Sequence, residues 1–378
     1  MAPEIALTAI PERDAEPLTV LDPMCGSGTV LSVAMQRGHN AIGVDIDPLA
    51  VMMSQLTVSP VSSVQLAEVS RAVVAGTRGS AGEPPWGDDE ETERFVDYWF
   101  GDTQKRDLIA LTSSITALSA GVDRLALQLA VSRIIVTKSP QASLAADTAH
   151  SRPHKVRLTS DYDVIGGFER SVAQLSRLLE KRVHSGSARV TLGDARTLES
   201  VADESVDLAV TSPPYLNAID YIRGHKLALV WFGHSVADLR ERRSASIGAE
   251  RGLGTQSTDV VRAILELIEE DATEKSRLRR GMIERFAQDC VGFATELGRT
   301  LRAGGRAVLV VGNSTLRGNY IRNDAIAQQA MEHAGFALTG RYERGIPPTS
   351  RYMAIGAAAG ESSITRRMRS EVVLTMDR

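Results

Sequence analysis

The feature that most constrains the fold lies near the start of the chain, where a short apolar run, LTVL at 18–21, breaks at once into Asp22-Pro23 and a glycine turn. So few apolar residues bounded by turn formers predict a buried strand entering a loop. Residues 29–37 (TVLSVAMQR) carry apolar side chains at Val30, Val33 and Ala34 and stop at Gly38, which predicts a helix with a C-terminal glycine. A second strand, AIGV at 41–44, leads into Asp45-Ile46-Asp47-Pro48, and this proline suits the first turn of another helix through Leu56. Strand, helix, strand and helix in this span predict the opening of a doubly wound α/β sheet.

The alternation is then interrupted. Residues 78–93 (RGSAGEPPWGDDEETE) read as an exposed linker, 103–138 has helical apolar spacing, and 142–167 is polar and irregular. Strand and turn resume at 188–192 before Gly193-Asp194-Ala195, and at 206–211 before Ser212-Pro213-Pro214-Tyr215. A second excursion contains the glycine-rich IGAERGLG at 247–254, and a helix is expected over 283–302. Gly304-Gly305 should turn into a strand at 306–311, followed by a helix near 321–333 and closing strands at 336–342 and 371–376. The expected organisation is a discontinuous α/β domain (1–58 and 186–378), a largely helical insertion (59–185), and an insertion at 216–280 that competes with it as the target-reading region.

Composition narrows the class. The 378 residues suffice for a sizeable core, and no apolar run approaches the roughly 18 to 20 residues needed to cross a bilayer. Glu4, Glu12, Asp14 and Glu16 occupy the N-terminal stretch where a secretory leader would be basic and then apolar, so a cytoplasmic protein is expected, with no membrane partner. Cys25 and Cys290 give neither a disulfide framework nor a zinc cluster, and the seven histidines lack ligand spacing, so no metal is expected. A net charge of −4 does not advertise a nucleic-acid binder, yet basic clusters occur at 150–157, 240–243, 277–285 and 366–369.

Asp22-Pro23-Met24-Cys25-Gly26-Ser27-Gly28-Thr29 follows a strand and precedes a helix. Its glycines allow close approach of a ligand, and the helix amides can receive an anionic group. No third glycine completes a dinucleotide fingerprint. Asp45, seventeen residues after Gly28 at the end of the second strand, is placed to accept both hydroxyls of a ribose, whereas Asp47 reads as a helix cap. Asp194 repeats the strand-end acid and can accept an adenine amino group. In Thr211-Ser212-Pro213-Pro214-Tyr215 the prolines stiffen the loop and remove donors, leaving acceptors that suit an amino substrate, and Tyr215 offers a face on which a base can stack.

In this order DPMCGSGT, GVDIDP, GDA and TSPPY resemble the motifs of amino-group nucleic-acid methyltransferases. The resemblance implies a seven-stranded Rossmann-like sheet, with S-adenosylmethionine bound by Asp22, Pro23, Cys25, Gly26, Gly28, Thr29, Asp45, Ile46, Asp194 and Ala195. It implies direct methyl transfer at Ser212, Pro213, Pro214 and Tyr215, with cytosine N4 in DNA as the first target. Adenine N6 in DNA and guanine N2 in tRNA are the alternatives, and a non-catalytic scaffold ranks last. DNA, with cognate restriction or defence proteins, is the expected partner. A cytosine-C5 mechanism is disfavoured because the loop has no cysteine nucleophile. The catalytic motif follows the cofactor motif here, whereas many serine-type enzymes have the reverse order.

Overall fold

The computed structural model describes residues 3–135, 140–146, 153–155, 157–180, 185–216, 221–248, 259–269, 280–316, 319–346 and 370–378. Seven strands form one sheet: β1 (Thr19–Asp22), β2 (Asn40–Asp45), β3 (Ser187–Leu192), β4 (Val206–Thr211), β5 (Leu301–Val311), β6 (Ala337–Gly345) and β7 (Ser370–Asp377). Their order is β6-β7-β5-β4-β1-β2-β3. The five strands from β5 to β3 run parallel, and β7 is antiparallel to both β5 and β6. This is the seven-stranded Rossmann-like architecture expected from the sequence. The chain reverses its direction of travel across the sheet between β1 and β4, and a ligand crevice opens at the carboxyl ends of strands at such a switch point.

The contacts divide the chain into two compact units. The sheet unit comprises residues 1–46, 184–219 and 244–378. It includes α1 (Pro3–Ala9) and α2 (Thr29–Gln36). The helical unit, residues 47–183 and 220–243, contains α3 (Pro48–Val58), α4 (Ser63–Thr77), α5 (Glu90–Trp99), α6 (Asp102–Thr116), α7 (Val122–Ile135), α8 (Val164–Leu179), α9 (Tyr221–Leu229) and most of α10 (Val236–Ala245). The sheet unit is completed by α11 (Asp259–Glu269), α12 (Arg280–Thr300) and α13 (Asn323–His333).

In the sheet unit, Phe286, Phe293 and Leu297 of α12 and Ile326 and Met331 of α13 join Leu309 of β5 and Leu374 of β7 in one buried cluster. Each fully buried side chain of this kind contributes roughly 1.5–3 kcal/mol of transfer free energy. These helices therefore hold the middle of the sheet, and with it the strand ends that carry the site.

In the helical unit Asp47 caps α3, its carboxylate accepting the Leu49 N–H at 2.9 Å with Pro48 in the first turn. The other carboxylate oxygen meets His225 Nδ1 of α9 at 2.6 Å. Three local expectations are corrected. The stretch 78–93 is not simply exposed, because Trp86 is buried edge-on against Trp231 with centroids 5.3 Å apart, and α5 already begins at Glu90 behind its cap Asp89. Among the described residues of 142–167 the backbone is largely irregular as expected, but residues 142–145 are buried, anchored by Leu144 N–H to Trp99 C=O at 2.8 Å, and α8 already starts at Val164. The third concerns Gly304 and Gly305, which lie inside β5 beside a register shift opposite β4. An apolar strand tolerates this interruption because the irregularity absorbs it.

The basic cluster at 366–369 and most of the glycine-rich loop at 247–254 lie outside the described residues. Among those described, no helix is long and apolar enough to cross a membrane. Nor, among them, is any group of three His, Cys, Asp or Glu side chains arranged to hold a metal ion.

Candidate active site at the carboxyl edge of the sheet

The glycine turn between β1 and α2 is built largely from its own sequence. Gly28 occupies a left-handed conformation, φ 82°, that glycine alone adopts without strain, and it contributes no side-chain cap, leaving the first amides of α2 to other acceptors. Asp22 closes the start of the turn by accepting the Met24 N–H at 3.2 Å. Cys25 donates its N–H to Val44 C=O at 3.0 Å, and its buried thiol packs near Gly43. The Gly26 N–H donates to Asp45 Oδ2 at 2.8 Å, which turns the β2 carboxylate toward the glycine turn. Beside Gly26 the space is open, with nothing within 4 Å of where a β-carbon would stand. Pro23 is buried, while Thr29 and Ile46 are half-buried.

Asp22 also accepts the Thr211 hydroxyl at 2.8 Å, tying the end of β1 to the end of β4. Burial pushes its carboxyl up to about 7, against the hydrogen bonds from Thr211 and Met24. The side chain is turned into the protein, so its visible role is to join the two strand ends.

The loop after β4 depends on its neighbours. Ser212 Oγ donates to the Val310 carbonyl of β5 at 3.1 Å and lies 3.4 Å from the Tyr215 hydroxyl. With its proton committed to Val310, the Ser212 oxygen presents its lone pairs, and it can accept from Tyr215 and from one further donor. Pro213 is buried, Pro214 and Tyr215 half-buried. The Tyr215 ring lies on the backbone of Gly312, where a β-carbon would come within 2.5 Å of its Cε2. Asn323, fully buried at the start of α13, donates to the Gly312 carbonyl at 2.9 Å and to Ser314 Oγ at 3.0 Å. Sequence reading missed Thr211, Gly312 and Asn323 as supports, although the Gly312 break directly after β5 was a visible signal.

At the third acid, Asp194, the Gly193 N–H donates to the Asp45 carbonyl at 2.9 Å, placing this turn beside the end of β2. Arg196 grips the Asp194 carboxylate through Nη2 at 2.6 Å and Nε at 3.0 Å. Ala195 is buried in the core. Asp22, Gly26, Asp45, Asp194 and the 212–215 loop thus stand at the carboxyl ends of four adjacent parallel strands.

No protein-family profile matches the chain. It is 23% identical over 257 residues to the type II methyltransferase M.BsoBI of Geobacillus stearothermophilus, an alignment covering 61% of this chain and 50% of that protein. The chain therefore spans about half the length of that curated relative. Among solved structures it is similar to a geranyl diphosphate methyltransferase at 10% identity and a TM-score of 0.36, covering 100% of this chain and 77% of that one. A SAM-dependent methyltransferase from Methanosarcina mazei aligns at 9% identity and a TM-score of 0.35, covering 99% and 96%. An rRNA methyltransferase from Streptomyces viridochromogenes aligns at 12% identity and 0.31, covering 99% and 81%.

Proposed function

We propose that this chain is an S-adenosylmethionine-dependent methyltransferase acting on an exocyclic base amine in DNA, with cytosine N4 as the target. The observation that carries the reading is the state of Ser212: its proton is given to Val310, so its oxygen faces the loop as an acceptor beside the Tyr215 hydroxyl. An exocyclic amine is a poor nucleophile because its lone pair is delocalised into the ring. Acceptors that hold its two N–H groups favour the pyramidal nitrogen, and Ser212 Oγ and the Pro213 carbonyl are the pair offered here. Tyr215, backed by Gly312, gives the base a rigid face to stack on once it leaves the duplex. The similarity to a type II methyltransferase supports DNA as the substrate class.

The residues present fit the cofactor. The uncapped amides of α2 suit its carboxylate, the open space beside Gly26 admits its backbone, Asp45 faces the turn as a ribose acceptor, and Asp194 lies at the next strand for the adenine amine. When bound it supplies a methyl group activated by a sulfonium centre. The protein's part is to align the amine with that methyl and to keep both from reorienting, which is catalysis by positioning.

Incubation of the purified protein with methyl-labelled S-adenosylmethionine and, separately, unmethylated genomic DNA and bulk tRNA, followed by nucleoside mass spectrometry, tests this. N4-methylcytosine from DNA is the expected product. N6-methyladenine would replace the base while keeping the class, methylguanosine from tRNA would move the substrate to RNA, and cofactor binding without product from either would reject the enzymatic reading.

A further inference from the structure

Arg196 joins three parts of the sheet unit that are far apart in the chain. Its guanidinium forks onto Asp194, just beyond the end of β3, and its Nη1 reaches Asp289 Oδ1 of α12 at 2.6 Å. Nη2 also donates to the Ala245 carbonyl. The second oxygen of Asp289 accepts the Gly248 N–H at 3.1 Å. Gly248 in turn lies against the loop after β4: a β-carbon built on it would stand 3.6 Å from the Tyr215 carbonyl oxygen and 3.5 Å from the Phe286 ring. Hydrogen bonds therefore connect Asp194 through Arg196 and Asp289 to Gly248, and Gly248 lies beside the Tyr215 carbonyl.

The charges in this path are unequal. One cation serves two carboxylates, and burial pushes Asp289 above the usual carboxylate range while Arg196 works against that shift. An ion pair meant only to fasten a turn needs a single acid. Here the second acid extends the grip to α12 and to residues 245–248, and only a planar fork with donors on several edges can serve all of these acceptors together.

We infer that Arg196 is a positioning residue that couples the two halves of the site: it orients Asp194 on the cofactor side and, through Asp289 and Gly248, fixes the backbone of Tyr215 on the base side. This rests on the methyltransferase reading of the site. The base-side arm can be cut by itself. Asp289→Asn keeps the shape of the side chain and removes the charge that holds Arg196 Nη1, so it acts on the base-side arm. Arg196→Lys keeps a positive charge and loses the fork, so it acts on both.

The experiment measures S-adenosylmethionine dissociation constants by calorimetry, and kcat on unmethylated genomic DNA at saturating cofactor, for the full chain and both variants. For Asp289→Asn, kcat falls about tenfold while the cofactor Kd stays within about twofold, the size of one lost charge-assisted hydrogen bond felt on one side only. For Arg196→Lys, Kd rises about tenfold and kcat falls as well, because both arms lose geometry. A merely structural role would lower thermal stability and leave this split between Kd and kcat absent. Unchanged kcat in Asp289→Asn overturns the inference, as does unchanged Kd in Arg196→Lys or a variant that fails to fold. If the wild-type chain itself binds no S-adenosylmethionine, the reading of the site falls instead, and that result is seen before either variant is made.

Discussion

The glycine turn at 22–29 and the loop at 212–215 sit on adjacent strands but are held in different ways. The turn is held largely by nearby sequence: Asp22 bonds Met24 within it, Gly28 supplies its left-handed corner, and Cys25 and Gly26 donate to β2, which begins only eleven residues after Thr29, while Asp22 also receives the Thr211 hydroxyl. The loop borrows its shape. Ser212 leans on Val310, Tyr215 on Gly312, and Gly312 is fixed by Asn323, all from residues about a hundred positions away. On the proposed function, the cofactor turn is thus specified mostly by local chemistry, while the loop proposed to hold the reacting amine takes its precision from tertiary packing.

The strongest way to break this comparison is Gly312→Ala. The new β-carbon would overlap Tyr215 Cε2 at 2.5 Å, and the strand backbone, held by Asn323, has little freedom to withdraw. The ring must shift, and turnover is expected to fall about a hundredfold, the cost of misplacing a reacting group by about 1 Å. S-adenosylmethionine affinity should stay within about threefold, because the glycine turn does not depend on β5. In a Tyr215→Ala background the same substitution should cost nothing further, since the ring it displaces is gone. A large additional loss in the double variant, by steady-state kinetics, would show that Gly312 acts by another route.

A smaller, opposite effect sharpens the other side. Asp45→Ala removes the acceptor of the Gly26 N–H and the proposed partner of the ribose hydroxyls, so the cofactor Kd should rise about tenfold or more, as for hydrogen bonds to a charged group. At saturating cofactor kcat should change little, because the loop keeps its supports on β5. Calorimetry and saturation kinetics separate the two quantities, and an unchanged Kd would remove Asp45 from the cofactor site.

The same contrast explains what the sequence disclosed. Strand ends of the kind at Asp22, Asp45, Asp194 and Thr211 are legible because short apolar runs bounded by turn residues leave few alternatives, and five of the seven strands fall within two residues of their expected ends. β6 runs three residues further, to Gly345, and β5 runs back through Gly304 and Gly305 to Leu301, because pairing with β4 overrode the turn preference of two glycines. The supports of the loop were not legible. Asn323 reads as an ordinary helix-start residue and Gly312 as a strand terminator, and only their spatial meeting with Tyr215 gives them a role. In the helical unit the burial of Trp86 was hidden for the same reason: its partner Trp231 lies 145 positions away, beyond any local pattern.

Asp22 is where the two regions meet, since it closes the turn at Met24 and receives the hydroxyl of Thr211 beneath the loop. Burial raises its carboxyl to about 7 from an unperturbed 3.8. The folded protein therefore binds this proton more tightly than the unfolded chain does. The resulting stability is fully present below the unfolded value and is lost as pH rises through the folded one. Asp22→Asn keeps a neutral group with an oxygen able to accept from Thr211 and Met24, and it removes the titration. Urea unfolding at about pH 5 and about pH 8.5 should show the wild type losing stability relative to this variant as pH rises, by at most about 1.4 kcal/mol for each unit crossed below the folded pKa. Parallel pH dependence of the two proteins would mean that Asp22 ionises in place at ordinary cost, and that the junction between turn and loop carries a charge rather than a proton.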